Sequence, residues 1–264
     1  MGVVEKKTWG PAAALIAVAV IGRILYSGLL GMAEDEAYYW VWSQRLATGY
    51  FDHPPGIAWV IRAGTEILGD TERGVRLVGI LLGGAAAGLA AGSSQDRLMV
   101  AFAMIAMPLF ALGGILATPD VPLLAAWSLG IFAACRGWWE LLGIAAGLAM
   151  LSKYTGVLLL PLVIAARPRV LQTRGPWLAA AIALIIYLPN AIWNLNHDLV
   201  SWSFQLNHVA EAPRRLDFLG AQIGLAGPIV FFAIAAWWAV AWRGDDVERL
   251  CWWTSLPVLV VGVW

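Results

Sequence analysis

Charge is scarce in this sequence. Asp, Glu, Lys and Arg make up 13% of its 264 residues, about half the roughly 25% of a soluble domain. The 17 cations are balanced by 17 anions, and 61% of the chain is hydrophobic. That composition excludes an ordinary water-soluble globule. Zero net charge and the lack of a basic stripe remove the electrostatic attraction that nucleic-acid binders use, so no nucleic-acid partner is expected. Cysteine is scarce too. Cys135 and Cys251 lie beside apolar runs with no second Cys or His at ligand spacing, which excludes a disulfide framework or zinc knuckle and leaves packing roles. Low-complexity linkers, soluble domains and clear internal repeats are also missing.

What the sequence has is apolar runs. A hydrocarbon core about 30 Å thick needs roughly 20 apolar residues in a spanning helix. Candidate runs cover 11–31, 74–92, 98–117, 121–135, 141–151, 156–166, 176–193, 218–242 and 250–264. This predicts an all-α integral membrane protein forming a single transmembrane unit, 1–264, of about nine spans. The first run is too long for a signal-peptide core and has no convincing cleavage site, so it reads as an uncleaved anchor. Run 141–166 reads as two segments, because Lys153 at mid-bilayer would cost about 2.5–3.5 kcal/mol. With Lys6 and Lys7 inside, nine Lys and Arg residues fall inside against seven outside, and Arg167, Arg169 and Arg174 cluster in one inner loop. Tryptophans near run ends form an aromatic belt among the membrane lipids.

The long polar stretches, 33–73 and 194–217, both fall on the outer side. In the first, Asp35, Tyr39 and Trp42 share a helical face, as in a helix lying at the interface with its aromatics in the headgroups. Residues 56–68 read as a second surface helix, with Arg62 and Glu66 as an i, i+4 pair. Asp35 and Glu36 diverge by about 100° on a helix and cannot act as the facing carboxylates of a glycoside hydrolase. One of them as a base fits better, though acids at a helix start also complement the macrodipole. His53, before two prolines, fits a turn as well as a site. Asp120 fits either a helix cap, with Pro122 in the first turn, or a function at the outer surface. Lys153 fits either snorkelling or contact with an anionic group. His197, Asp198 and His208 in the second stretch match no strong metal signature and read better as polar or phosphate contacts, with Arg214 nearby.

Taken together, Asp35-Glu36-Ala37-Tyr38-Tyr39-Trp40, Gly49-Tyr50-Phe51-Asp52-His53-Pro54-Pro55, Thr118-Pro119-Asp120, Ser152-Lys153-Tyr154 and the His197-Asp198 loop resemble one family. It comprises membrane glycosyltransferases of the dolichyl-phosphate-mannose protein mannosyltransferase type, with bacterial relatives that include the lipid A aminoarabinose transferases. The resemblance implies a polytopic GT-C helical bundle with interfacial helices in the first extracytoplasmic loop. It also implies transfer of a sugar, with inversion, from a polyprenyl-phosphate donor to a lipid, glycan or protein acceptor outside the cytoplasm of a bacterial inner membrane. Asp35 and Glu36 match the family's first-loop acids, and Asp120 matches its second acid. His53 stands where aminoarabinose transferases carry a phosphate-binding lysine, and Lys153 matches the family's lysine after the fifth span. The chemistry needs a base and cations; Asp35 supplies the first, and Lys153, with His53 or Arg214, the second. No cofactor is required, although a divalent cation could take part of the cationic work. Family members continue beyond position 264, so the chain resembles a truncated member. A transporter or lipid flippase shares the composition, but acids gathered at one surface favour an interfacial reaction over a translocation path.

Overall fold

The computed structural model describes residues 9–107, 111, 113–210, 223–224 and 228–260. Its helices are α1 (Trp9–Ser27), α2 (Glu34–Ser43), α3 (Gly56–Leu68), α4 (Glu72–Gly92), α5 (Arg97–Ala106), α6 (Asp120–Arg136), α7 (Trp139–Ser152), α8 (Leu159–Ala166), α9 (Gly175–Leu195), α10 (Val200–Ala210), α11 (Pro228–Ala241) and α12 (Asp246–Val260). By length and composition, α1, α4 and α9 can each cross a membrane. Run 141–166 is indeed interrupted. Helix α7 stops at Ser152, Lys153 is extended (φ −153°, ψ 144°), and a 3₁₀ turn, Tyr154–Leu158, leads into α8. Run 98–117 differs from expectation, because α5 covers only its first half. Met107 leaves the helical region (ψ 132°), as a residue before a proline tends to do, and the following residue is Pro108.

Among the described residues, three packed clusters hold the helices together. Helices α6, α7, α8 and α9 share the largest, around Leu142, Ala146, Leu159 and Ala183. Small residues let α7 and α9 approach closely, the usual device where lipid removes the hydrophobic drive between helices. A Cβ on Gly143 would lie 2.6 Å from the Ala179 carbonyl oxygen. Helices α1, α4 and α5 meet through Ala12, Ala91 and Ala101. The third cluster packs α2 on α3 and α4 through Tyr39, Trp42, Ile57, Ile61 and Val75. This corrects one part of the reading of α2: Tyr39 and Trp42 are buried in protein, not set among headgroups.

Beneath α2 lies a closed ionic clasp. Arg76 and Glu36 are 0% and 1% exposed. The guanidinium donates from Nε to Glu36 Oε1 (2.8 Å) and from Nη2 to Oε2 (2.5 Å). Its remaining N–H groups go to the carbonyls of Ser27 (2.6 Å), Leu30 (2.8 Å) and Gly31 (2.8 Å), at and just beyond the end of α1, where helical carbonyls lack partners. Glu36 also accepts from the backbone N–H groups of Ala33 (3.0 Å) and Ala117 (2.9 Å). Burial alone would raise its carboxyl, but the Arg76 bond and these two backbone donors bring it below the usual carboxylate range. Removing one side of a filled buried pair strands the other charge. Glu36→Ala or Arg76→Leu is therefore expected to cost about 3–5 kcal/mol, seen as a lower Tm in detergent.

Candidate functional site

Four elements converge above this clasp. Asp35 lies in the first turn of α2, exposed, beside Glu34 and Glu36. Among the described residues no hydrogen bond or ion pair reaches its carboxylate. Asp120 opens α6 but makes no capping bond; its Oδ1 instead pairs with Lys153 Nζ at 2.8 Å. The Lys153 side chain is 14% exposed and that of Asp120 43%, so the cation is enclosed while its carboxylate partner faces out. Neither helix capping by Asp120 nor free snorkelling by Lys153 describes this geometry.

Between them runs the loop carrying Asp52 and His53. Tyr50 stacks flat on Trp42 at 4.4 Å, and its hydroxyl closes the loop by accepting from the Ala47 N–H (3.0 Å) and donating to the Trp42 carbonyl (3.1 Å). From the other side, Asn190 Nδ2 of α9 donates to the Thr48 carbonyl (2.7 Å), and Gln205 Nε2 of α10 donates to the Asp52 carbonyl (2.7 Å). Pro54 and Pro55 then start α3 at Gly56, where a Cβ would come within 2.7 Å of the Leu151 carbonyl oxygen. That close approach to the end of α7 brings the start of α3 to within a few residues of Lys153.

The electrostatics follow from partial burial. His53 stacks on Tyr39 at 5.9 Å, and its Nδ1 lies 2.6 Å from the Asp52 carbonyl. Two acceptors do not sit that close, so Nδ1 carries the proton and donates it to the carbonyl. The contact of 3.0 Å between Gln205 Nε2 and the same Nδ1 is then two donors sharing one acceptor. Burial, with Lys153 adding to it, pushes the imidazole below its ordinary range, against the opposing pull of Asp52 and Asp120. Burial also pushes the Asp52 carboxyl up, with His53 and Tyr38 opposing and Asp35 reinforcing. Its Oδ1 is buried and has no partner among the described residues.

A family profile described as dolichyl-phosphate-mannose-protein mannosyltransferase matches residues 52–193. That is more than half the chain and includes Asp52, His53, Asp120 and Lys153. The chain belongs to this family. A lipid A galacturonosyltransferase, RgtD, of Rhizobium johnstonii is 35% identical over 257 residues, covering 86% of this chain and 54% of the relative. Among solved structures, ArnT from Cupriavidus metallidurans bound to undecaprenyl phosphate aligns with a TM-score of 0.75 at 20% identity, covering 96% of this chain and 55% of that one. The apo form gives 0.72 at 21% identity, with 95% and 54% covered. The chain thus has the GT-C helical membrane fold and spans about half the length of these relatives.

For this mannosyltransferase-family chain, the structure brings together Asp35, His53, Asp120 and Lys153. Glu36 parts from Asp35: it points inward with its four acceptor positions filled, so the expected pair of surface acids is one acid and one buried anchor. His197 stacks on Trp193 at 4.0 Å, and its Nδ1 lies 2.7 Å from the Trp193 carbonyl, at the end of α9. Asp198 follows with a positive φ of 54°. The backbone of His208 falls in α10, while its side chain and the whole of Arg214 lie outside the described residues. Among the described residues no three His, Cys, Asp or Glu side chains converge as metal ligands. Sequence reasoning gave no role to Asp52, Gln205 or Asn190. The signal for Asn190 was available: Asn190 and Asn194, both fully buried, stand i, i+4 after Pro189 in an otherwise apolar run, and polar groups in such a place need partners.

Proposed function

We propose that this chain carries the donor site of an inverting glycosyltransferase that moves a sugar from a polyprenyl-phosphate carrier to a lipid acceptor of the lipid A class. The site faces the periplasm. The observation that carries this reading is an unpaired acid, Asp35, across the Asp52–His53 loop from an enclosed cation, Lys153. The relatives named above supply the substrate class. The acceptor hydroxyl attacks the anomeric carbon as the bond from that carbon to the phosphate oxygen breaks. Asp35 takes the hydroxyl proton, and the electron pair leaves with the phosphate, whose charge grows by one unit beside Lys153. Lys153 needs only one of its three N–H donors for Asp120, which leaves two for phosphate. Lys153 supplies cationic work at the phosphate, and a divalent cation could share it.

The test incubates membranes containing the protein with radiolabelled polyprenyl-phosphate sugar. The expected result is label in the lipid A fraction with stoichiometric release of polyprenyl phosphate. Movement of the donor across liposomes without sugar transfer overturns the reading in favour of a flippase. His53 adds a pH signature. Its ring is neutral in the folded protein until the pH falls below the ordinary imidazole value of about 6.5, and only the protonated ring donates from both nitrogens. Binding of labelled polyprenyl phosphate should therefore tighten as the pH falls below that ordinary value, and this tightening should be absent in His53→Asn. An equal pH response in both proteins removes His53 from the phosphate site.

A further inference from the structure

Glu36 and Arg76 touch nothing that reacts, yet their connections run to both sides of the site. Glu36 is the neighbour of Asp35 on α2. Its Oε1 accepts from Ala117 N–H at 2.9 Å, three residues before Asp120, and the Thr118 carbonyl in turn accepts from Val121 N–H in the first turn of α6 (3.2 Å). Through Arg76 the same carboxylate is tied to α4 and to the end of α1. Helix α2 has no other hydrogen bond or ion pair to the segment leading into α6 among the described residues. At the start of α2, Glu34 and Asp35 are exposed, Glu36 is buried and Ala37 half-buried, while Tyr39 and Trp42 further along the helix share a buried cluster with Ala117.

Resting on the sugar-transfer reading above, we propose that Glu36 and Arg76 are positioning residues whose clasp sets the Asp35 carboxylate against the Asp120–Lys153 pair. A network in which five N–H donors and four carboxylate acceptor positions are all filled has one low-energy arrangement. That makes it a ruler, where a looser contact would only hold helices together. Displacing a reacting group by about 1 Å costs on the order of 10²-fold in rate, and this amount is available from a change of one methylene.

The test is Glu36→Asp, which keeps the charge opposite Arg76 and shortens the reach to Ala117, with Arg76→Lys as a second variant that keeps the charge and loses two of five donors. Both are compared with the parent and with Asp35→Asn in the transfer assay, each rate being divided by the amount of monodisperse protein. The expected result for either folded variant is kcat lower by about 10–100-fold with KM for the polyprenyl-phosphate sugar within threefold of the parent. A purely structural clasp would lower the yield of folded protein and leave kcat per folded molecule at the parental value, and that result overturns the inference alone. A parent that transfers no sugar overturns the functional reading and this inference with it.

Discussion

Asparagine at position 35 is expected to lower sugar transfer by about 10²–10⁴-fold, the usual contribution of a positioned base, with the protein folded and donor binding within a few fold of the parent. The fold should tolerate the change because the Asp35 carboxylate has no partner among the described residues, and Glu34 and Glu36 remain to complement the positive end of α2. Donor binding should survive because the phosphate contact comes from Lys153. The measurement is a steady-state rate with labelled donor, taken beside Asp52→Asn and Asp120→Asn. Asp52 differs in kind: burial raises its carboxyl, which suits a group that binds a hydroxyl more than one that must be ionised to take a proton. Should Asp35→Asn keep the parental rate while Asp120→Asn loses it, the base is Asp120 and the Lys153 pairing needs another explanation.

Much of the scaffold was legible because it follows from local rules. The apolar runs mark α1, α4 and α9, and α3 covers the same residues, 56–68, as the predicted surface helix. Lys153 does interrupt the run it stands in. The site was legible only in its residue types. Asp120 and Lys153 are 33 residues apart in sequence, and nothing local announces that they pair, since a helix cap and a snorkelling lysine are each adequate accounts of one residue at a time. The division between Asp35 and Glu36 shows the same limit. A step of about 100° per residue separates the two side chains, so one had to face away from the other. Which one faced inward depended on Arg76, 40 residues later. In an apolar helix start that arginine reads as one of the outer cations, and only the carbonyls of Ser27, Leu30 and Gly31 explain its burial. Gln205 was equally hidden, because its partner is a loop carbonyl and any amide would have served in composition.

Removing the Lys153 charge gives the other large effect. Lys153→Met is expected to reduce kcat/KM for the donor by about 10²–10³-fold, comparable to removing one preorganised donor from a site of developing negative charge. The interpretation turns on Asp120. If Lys153 served only to neutralise that carboxylate, the loss in Lys153→Met would come from an unpaired Asp120 repelling the donor phosphate, and Asp120→Asn would cancel it. If Lys153 also contacts the phosphate, the double variant Lys153→Met/Asp120→Asn stays far below Asp120→Asn alone. A double-mutant cycle separates the two, since residues in direct contact deviate from additivity by 0.5–3 kcal/mol, or about 2–150-fold. The enclosed ammonium beside a more open carboxylate favours the second outcome. Asp120 then holds the cation in place from the solvent side and leaves its inner N–H groups to the phosphate. Full recovery of kcat/KM in the double variant would remove Lys153 from the donor contact and leave it only the role of neutralising Asp120.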